Sequence, residues 1–193
     1  MNGPLPYTSG LARPTDPFTR HDVVYTRQIN DKAISMRPVY LKQDMDLLRK
    51  WVKKEYSRPR FKYTPYDEII QTLIHVAHSD FAQAFTVLEK NAPICQVEVC
   101  NALYKEVSLY AHCKEGDYIV HFPLPYEHTI EFRKDILTTC VDYFLLHKEV
   151  RRVFAIGEDE DRELLDSTGF SNYWEGEIRK KRVRLYLYGE GMG

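Results

Sequence analysis

The sequence lacks an excess of either charge. It holds 27 lysines and arginines against 28 aspartates and glutamates, which leaves a formal net charge of −1 at pH 7. A protein that binds DNA or RNA through the phosphates generally needs a broad positive field. The charge balance therefore argues against a nucleic-acid partner.

Long apolar runs are also missing. No stretch approaches the ~20 apolar residues that span a bilayer. The N-terminus does not show the basic segment followed by an apolar one that is typical of a signal peptide. We therefore expect a cytoplasmic protein that does not contact a membrane.

The cysteines form no metal or redox motif. Cys95, Cys100, Cys113 and Cys140 include no CxxC pair, and no histidine lies at zinc-ligand spacing from them. A free cysteine usually behaves as a small buried apolar residue. The pattern predicts free thiols and no bound metal.

Proline and glycine are concentrated at the N-terminus. Pro4, Pro6, Pro14 and Pro17 all fall within residues 1–20, and such a stretch favours extended, weakly packed backbone. We predict a flexible tail over residues 1–20. The remaining length suits a single domain over residues 21–193.

The pattern of this domain alternates between strands and helices. Runs rich in β-branched and aromatic residues predict strands at 23–29, 33–40, 81–88, 94–102, 118–122, 150–156 and 183–188. Apolar residues three and four apart predict helices at 44–56, 67–78, 129–147 and 159–168, the first of them capped by Asp44.

This order of elements predicts the fold class. Strands interleaved with helices favour an α/β (α+β) fold, in which a mixed central sheet carries helices on both faces. Asn30-Asp31 is suited to the turn of a first hairpin, and residues 89–93 are predicted to link the strands of a second one.

Several short segments together resemble one known family. They are Ser35-Met36-Arg37-Pro38, the run from Asp44 to Trp51, Ile94 to Val99, Gly116-Asp117 with His121, Leu137 to Phe144, Arg152-Val153, Gly169-Phe170 and Lys181. In this order and spacing they resemble the GNAT acyltransferases, and within these the siderophore-biosynthesis N-acyltransferases that act on hydroxylysine or lysine. The resemblance spans residues 23–188 and implies a GNAT-like sheet.

The resemblance implies transfer of an acyl group, most often acetyl, from coenzyme A to an amine or hydroxylamine acceptor. His121 matches a strand-borne histidine of the family, and an imidazole can accept a proton near neutral pH. His121 is therefore the predicted general base, and Glu158 the predicted acidic residue beyond the following strand. From the residues alone, His121 is more typical of a histidine held within a sheet, and Glu158 could equally be a solvated helix start.

Three further positions match the acceptor side of the family. Trp51 is predicted to border the acceptor pocket, although a tryptophan on the apolar stripe of a helix is also typical of a core. Glu98 alternates with valines, so its carboxylate faces either the acceptor or the solvent. Lys181 lies in a basic run that equally suits a solvated strand edge.

The predicted coenzyme site departs from the family pattern. GNAT enzymes hold the diphosphate of coenzyme A on a glycine-rich turn before the central helix, but no glycine occurs between Gly116 and Gly157. Glu127 and Glu131 lie at this turn and would repel the diphosphate. The residues predicted to contact the coenzyme are Phe122, His128, Thr129, Arg133 and Lys134.

The missing glycines leave two classes of function open. One is an N-acyltransferase that takes its acyl group from acetyl-CoA, another acyl-CoA or an acyl-carrier protein, whose phosphopantetheine lacks the nucleotide diphosphate. The other is a GNAT-like domain without catalysis that acts as a binding or scaffold module. An aminoglycoside-type N-acetyltransferase is a further enzyme alternative, because it shares the fold. The matching histidine favours the enzyme.

Overall fold

The computed structural model describes residues 20, 22–56, 67, 68, 71, 74, 75, 79, 81–122, 128–178 and 181–189. Apart from residue 20, the predicted N-terminal tail lies outside this part of the chain, as does most of the second predicted helix. The five described residues between 67 and 75 have helical backbone, in agreement with that helix.

The described residues form eight strands and three α-helices. The strands are β1 Tyr25–Ile29, β2 Lys32–Pro38, β3 Ala82–Glu89, β4 Ala92–Asn101, β5 Asp117–His121, β6 Arg152–Gly157, β7 Ser171–Ile178 and β8 Lys181–Gly189. The helices are α1 Leu41–Tyr56, α2 Ile130–Leu145 and α3 Arg162–Ser167. None of the described helices is long and apolar enough to cross a membrane.

Tight turns join the strands of both N-terminal hairpins. Asn30, with φ +55°, helps to close the predicted turn between β1 and β2. Lys90 and Asn91, with φ +48° and +68°, form the whole connection between β3 and β4, since Glu89 already pairs with Ala92. Two successive positive φ angles are typical of a type I′ hairpin turn, so the predicted five-residue link is too long.

One mixed sheet contains all eight strands, in the order β1-β2-β3-β4-β5-β6-β8-β7. Only the central pair β5–β6 is parallel, and α2 lies on the crossover that connects these two strands. Parallel neighbours need such a crossover, whereas antiparallel neighbours can be joined by short turns. The predicted mixed sheet is confirmed.

Helices cover both faces of the sheet. On one face, here called the α2 face, apolar side chains of α2 and α3 pack on residues such as Val97, Val120 and Ala155. On the other, here called the α1 face, Leu41 and Leu48 lie in a second cluster with Ile119 and Phe154. Because successive strand residues point to opposite faces, each central strand contributes to both clusters.

Asp44 does not cap α1 as the sequence analysis predicted. The helix begins three residues earlier, at Leu41, and Asp44 lies fully buried in its first turn. Its carboxylate accepts two hydrogen bonds from the Arg37 guanidinium, at 2.6 and 2.8 Å, and one each from the Thr86 hydroxyl and the Tyr40 N–H, both at 2.9 Å. Asp44 therefore fastens α1 to β2 and β3.

β7 is a strand that the sequence pattern did not predict. The strand pairs with β8 at the edge of the sheet, and the register between the two shifts between Asn172 and Trp174. This irregularity breaks the alternation of apolar and polar residues that identifies a strand. The acidic helix before it begins with a 3-10 turn, Asp159–Asp161, continues as α3 and is followed by Gly169 at φ +90°.

Candidate active site

The two central strands part at one end of the sheet. The parallel ladder between β5 and β6 ends at the pair Val120–Ala155. Beyond it, His121 pairs with Glu98 on β4, while Ile156 pairs with Leu185 on β8. The inner edges of β5 and β6 are therefore not paired with each other beyond this point, and this unpaired stretch is here called the gap between the two strands.

His121 is the last residue of β5 and stands at this gap. Its side chain is 58% exposed, and its Nδ1 lies 3.7 Å from Oε2 of Glu98. This distance exceeds that of a hydrogen bond, so the contact is a charge pair whenever the imidazole carries a proton. No hydrogen bond from the described residues occupies the other ring nitrogen, Nε2.

Glu98 faces this site from within the protein. The structure excludes the solvent-facing alternative, because Glu98 is only 7% exposed. Its Oε1 accepts a hydrogen bond of 2.9 Å from Nε2 of Gln96, two residues earlier on β4. Both side chains lie on the α1 face, because Val97 and Val99 between and beside them belong to the α2-face cluster.

Trp51 and Lys181 lie on different elements of the fold. Trp51, on α1, is partly buried and packs against the α1-face cluster, the same side of the sheet as Glu98. Lys181 begins β8, three residues before Arg184, which pairs with the last residue of β6. The start of β8 therefore extends past the end of β6 at the edge where the gap opens.

Glu158 follows β6 but takes part in a helix cap. Its N–H donates to Oδ2 of Asp161 at 3.2 Å, and its carboxylate accepts from the Asp161 N–H, which completes a capping box. This carboxylate therefore has its partner at the start of α3, and the structure pairs His121 with Glu98 instead.

The residues predicted to contact the coenzyme have varied surroundings at the start of α2. Thr129 is the N-cap, and its hydroxyl accepts a 3.3 Å hydrogen bond from the Phe132 N–H. Arg133 is buried, 3.7 Å from the Asp161 carboxylate. The other three are Lys134, which is exposed, His128, whose ring stands edge-on to Phe132, and Phe122, which packs on the α2-face cluster.

Two further polar residues at the site were not singled out by the sequence analysis. Gln96 could have been found, because it and Glu98 are polar residues two apart on a strand that is otherwise largely apolar. Lys32, at the start of β2, gave no signal, yet its Nζ lies 4.9 Å from the centre of the Phe132 ring. It adds a cation near the first turn of α2.

The thiols near the site are poor nucleophiles. Cys100 lies two residues beyond Glu98, and burial raises its pKa to about 11, with Glu98 adding to the effect and Lys105 opposing it. Burial also raises the pKa of Cys95, Cys140 and Cys113. A thiol attacks as its thiolate, so none of the four is suited to carry an acyl group near neutral pH.

Solved structures share this arrangement of strands, although no family model and no curated protein matches the chain. An uncharacterised protein from Bacillus halodurans has a TM-score of 0.72 at 15% identity, and the match covers 86% of this chain and 90% of that one. The aminoglycoside acetyltransferase AAC(6')-Ib in complex with coenzyme A has a TM-score of 0.65 at 11% identity, covering 81% and 95%. A chimera containing the spermidine N-acetyltransferase SpeG of Vibrio cholerae has a TM-score of 0.59 at 14% identity, covering 80% and 93%.

These likenesses define the class of fold. Two of the three neighbours are acetyltransferases, and identities of this size show the architecture alone. The chain has the fold of the GNAT acetyltransferases, as its sequence motifs predicted.

Proposed function

We infer that the chain is an N-acyltransferase that moves an acyl group, acetyl in the simplest case, from a coenzyme A thioester to an amine or hydroxylamine acceptor. The observation that carries this proposal is the position of His121. Its imidazole stands at the end of β5, where the ladder with β6 stops, beside the buried Glu98 carboxylate.

The proposed reaction is direct transfer. An amine acceptor arrives as an ammonium and gives one proton to Nε2 of His121. Its nitrogen then attacks the thioester carbonyl carbon, the C–N bond forms, and the C–S bond breaks. The thiolate leaves and takes up the second proton from the nitrogen. The raised thiol pKa values support direct attack over an acyl-cysteine intermediate.

The two ends of the donor fit the site differently. The unpaired inner edges of β5 and β6 can hydrogen-bond an extended chain with amide groups, such as pantetheine. The first turn of α2 is less favourable to a diphosphate, because Glu131 is exposed there and Arg133 is buried against Asp161. A carrier-protein thioester, which lacks this diphosphate, is therefore a second donor class to test.

The acceptor belongs to one of two groups in this proposal. Resemblance of the sequence motifs favours a lysine-type or hydroxylysine-type acceptor of siderophore assembly. The likeness to AAC(6')-Ib favours an aminoglycoside.

The test is a matrix of donors and acceptors. Acetyl-CoA, succinyl-CoA, a longer acyl-CoA and an acetylated carrier protein are combined with lysine, N6-hydroxylysine, a diamine and an aminoglycoside. Free thiol release is followed in time, and the acylated product is identified by mass spectrometry. We expect at least one pair to be turned over by the wild type, and far more slowly by His121→Ala.

The contrary outcome is equally clear. If thiol is released no faster than without enzyme for every donor–acceptor pair, the result favours a GNAT-like binding or scaffold module. The exposed His112→Ala serves as the matched control, since it removes an imidazole outside the site.

A further inference from the structure

The amide of Gln96 is buried with one of its polar atoms unpartnered. Gln96 is 3% exposed, and its Nε2 donates to Glu98 at 2.9 Å. Its carbonyl oxygen, Oε1, is also buried and has no hydrogen-bond partner in the described part of the structure. Buried polar atoms of native proteins are nearly always hydrogen-bonded, so this oxygen calls for a donor.

The orientation of this amide follows from its neighbour. If the amide were turned over, Oε1 would lie against the Glu98 carboxylate, and two acceptors would face each other. The NH₂ group must therefore point toward Glu98 while that carboxylate is ionised. Oε1 is then directed away from that carboxylate and is left to another donor.

The other buried carboxylates on this face, among the described residues, already have their donors. The Asp117 carboxylate accepts from the Arg152 guanidinium and the Lys114 N–H. Asp44 has the Arg37 guanidinium, the Thr86 hydroxyl and the Tyr40 N–H as donors. Glu98 accepts one N–H from Gln96, and within the described residues its second oxygen has only the 3.7 Å contact with the His121 ring. Among the buried carboxylates of the described residues on this face, Glu98 is therefore the one with an oxygen left for a cationic ligand.

These atoms define the chemistry of a partner. Gln96 Oε1 and Glu98 Oε2 both accept hydrogen bonds and donate none, and together they carry one negative charge. An alkylammonium offers three N–H donors, one positive charge and no acceptor. A hydroxylamine is largely neutral near pH 7, so it lacks the positive charge that would pair with the Glu98 carboxylate, and it offers two donors, one N–H and one O–H, where the ammonium offers three.

We propose that Gln96 Oε1 and Glu98 Oε2 together bind the ammonium group of a primary-amine acceptor and select it over the corresponding hydroxylamine. This inference rests on the proposed acyltransferase function and narrows its acceptor. Gln96 binds the ground-state ammonium, and His121 then removes one of its protons.

The kinetic test compares Gln96→Leu with Gln83→Leu. Gln83 is equally buried, at 3%, but lies on β3 with its side chain on the opposite face, since its neighbours Ala82 and Ala84 belong to the α1-face cluster. With an amine acceptor, we expect Gln96→Leu to raise KM about tenfold or more with a smaller change in kcat. Gln83→Leu should leave KM unchanged. We also expect Gln96→Leu and Glu98→Gln to lower the ratio of kcat/KM for the amine to kcat/KM for its N-hydroxy analogue. An unchanged ratio in both variants would overturn the proposal.

A binding test separates this inference from the proposed function. The side-chain NH₂ signals of Gln96, identified by their loss in Gln96→Leu, are followed by NMR during titration with n-butylammonium chloride. Tetramethylammonium chloride at equal ionic strength is the control, because it has the same charge and no N–H donor. We expect a saturable shift with n-butylammonium alone. No shift, or equal shifts with both salts, would refute the ammonium site even if acyl transfer is observed. The expected shift without any acyl transfer would support the site and refute the proposed acyltransferase function.

Discussion

At the scale of single residues, the two partners of the site differ in what surrounds them. The His121 side chain is 58% exposed, whereas that of Glu98 is 9% exposed. Removal of the imidazole leaves no cavity in the sheet. Removal of the carboxylate empties a buried position and takes away the hydrogen-bond partner of the Gln96 amide. His121 can therefore be truncated freely, whereas Glu98 needs a substitution of similar size.

His121→Ala is expected to lower turnover about 100-fold or more, because a positioned general base contributes roughly 10² to 10⁴ in rate. The unfolding midpoint should hardly move, because substitutions of exposed residues usually change stability by less than about 0.5 kcal/mol. Steady-state kinetics and a thermal melt measure both quantities. A variant that keeps the wild-type rate would show that another group takes the proton.

At the scale of the elements, α1 depends on a buried ion pair for its attachment. Asp44→Asn removes the charge that pairs with Arg37, which is itself 8% exposed. Removing one partner of a buried ion pair typically costs about 3–5 kcal/mol of stability. We expect the free energy of unfolding measured in urea to fall by an amount in this range.

The matched control for this loss lies on the same helix. Asp46 is 85% exposed and 3.5 Å from Arg49, so Asp46→Asn should change stability by less than about 1 kcal/mol. If Asp44→Asn and Asp46→Asn lose the same free energy of unfolding, the hydrogen bonds around Asp44 do not stabilise the fold more than an exposed ion pair does.

The start of α2 carries the prediction about the donor. An acidic residue about 6 Å from a phosphate costs roughly 3 kcal/mol at an effective dielectric of about 20, and exposure reduces this to about 1. We therefore expect acetyl-CoA to bind with high micromolar or weaker affinity. Glu131→Gln should improve binding roughly fivefold, and further with Glu127→Gln added. Glu163→Gln, which removes an exposed acid of α3, is the control. The prediction is wrong if calorimetry finds the same acetyl-CoA affinity for the wild type and for all variants.

The sequence predicted most elements because their patterns were regular. The strands from β1 to β6 and the long helix α2 have apolar runs or spacings that only one secondary structure explains. β7 escaped because Trp174 lies beyond a register shift and the strand carries exposed residues on both sides. The start of α1 was placed too late, because Tyr40 lacks a capping side chain and the acid that looked like the cap serves the sheet.

The candidate site was predictable one residue at a time but not as a set. His121 and Glu98 each matched the family, yet their pairing depends on the register between β4 and β5. Such a register comes from tertiary packing, which a single sequence does not reveal. The unpartnered oxygen of Gln96 is likewise visible only once its neighbours are known.

At the scale of the whole molecule, stability should fall in mild acid. Burial lowers the pKa of His147, which follows α2, while Glu149 opposes the shift. The unfolded chain then binds a proton at a higher pH than the folded one, so stability is lost as the pH falls below about 6.5. His147→Gln should flatten the slope of the unfolding free energy between pH 6.5 and 5. His112→Gln, which changes an exposed histidine, should leave this slope as it is in the wild type. Identical slopes in the wild type and both variants would contradict the assignment to His147.

The chain order of the strands also decides how the sheet can assemble. β3 and β4 are joined by a two-residue turn, so their ladder closes a short loop, whereas β6 pairs with β5 only after the 30-residue crossover that contains α2. Four residue pairs make up the ladder that joins the two halves, and hydrogen exchange should open it before the β3–β4 ladder. A ligand held between the parted ends of β5 and β6 touches both halves, so it should slow amide exchange most at Val120 and Ala155. Ligand binding and the final closure of the sheet are then coupled steps, and the fold gains resistance to opening from the molecules that it binds.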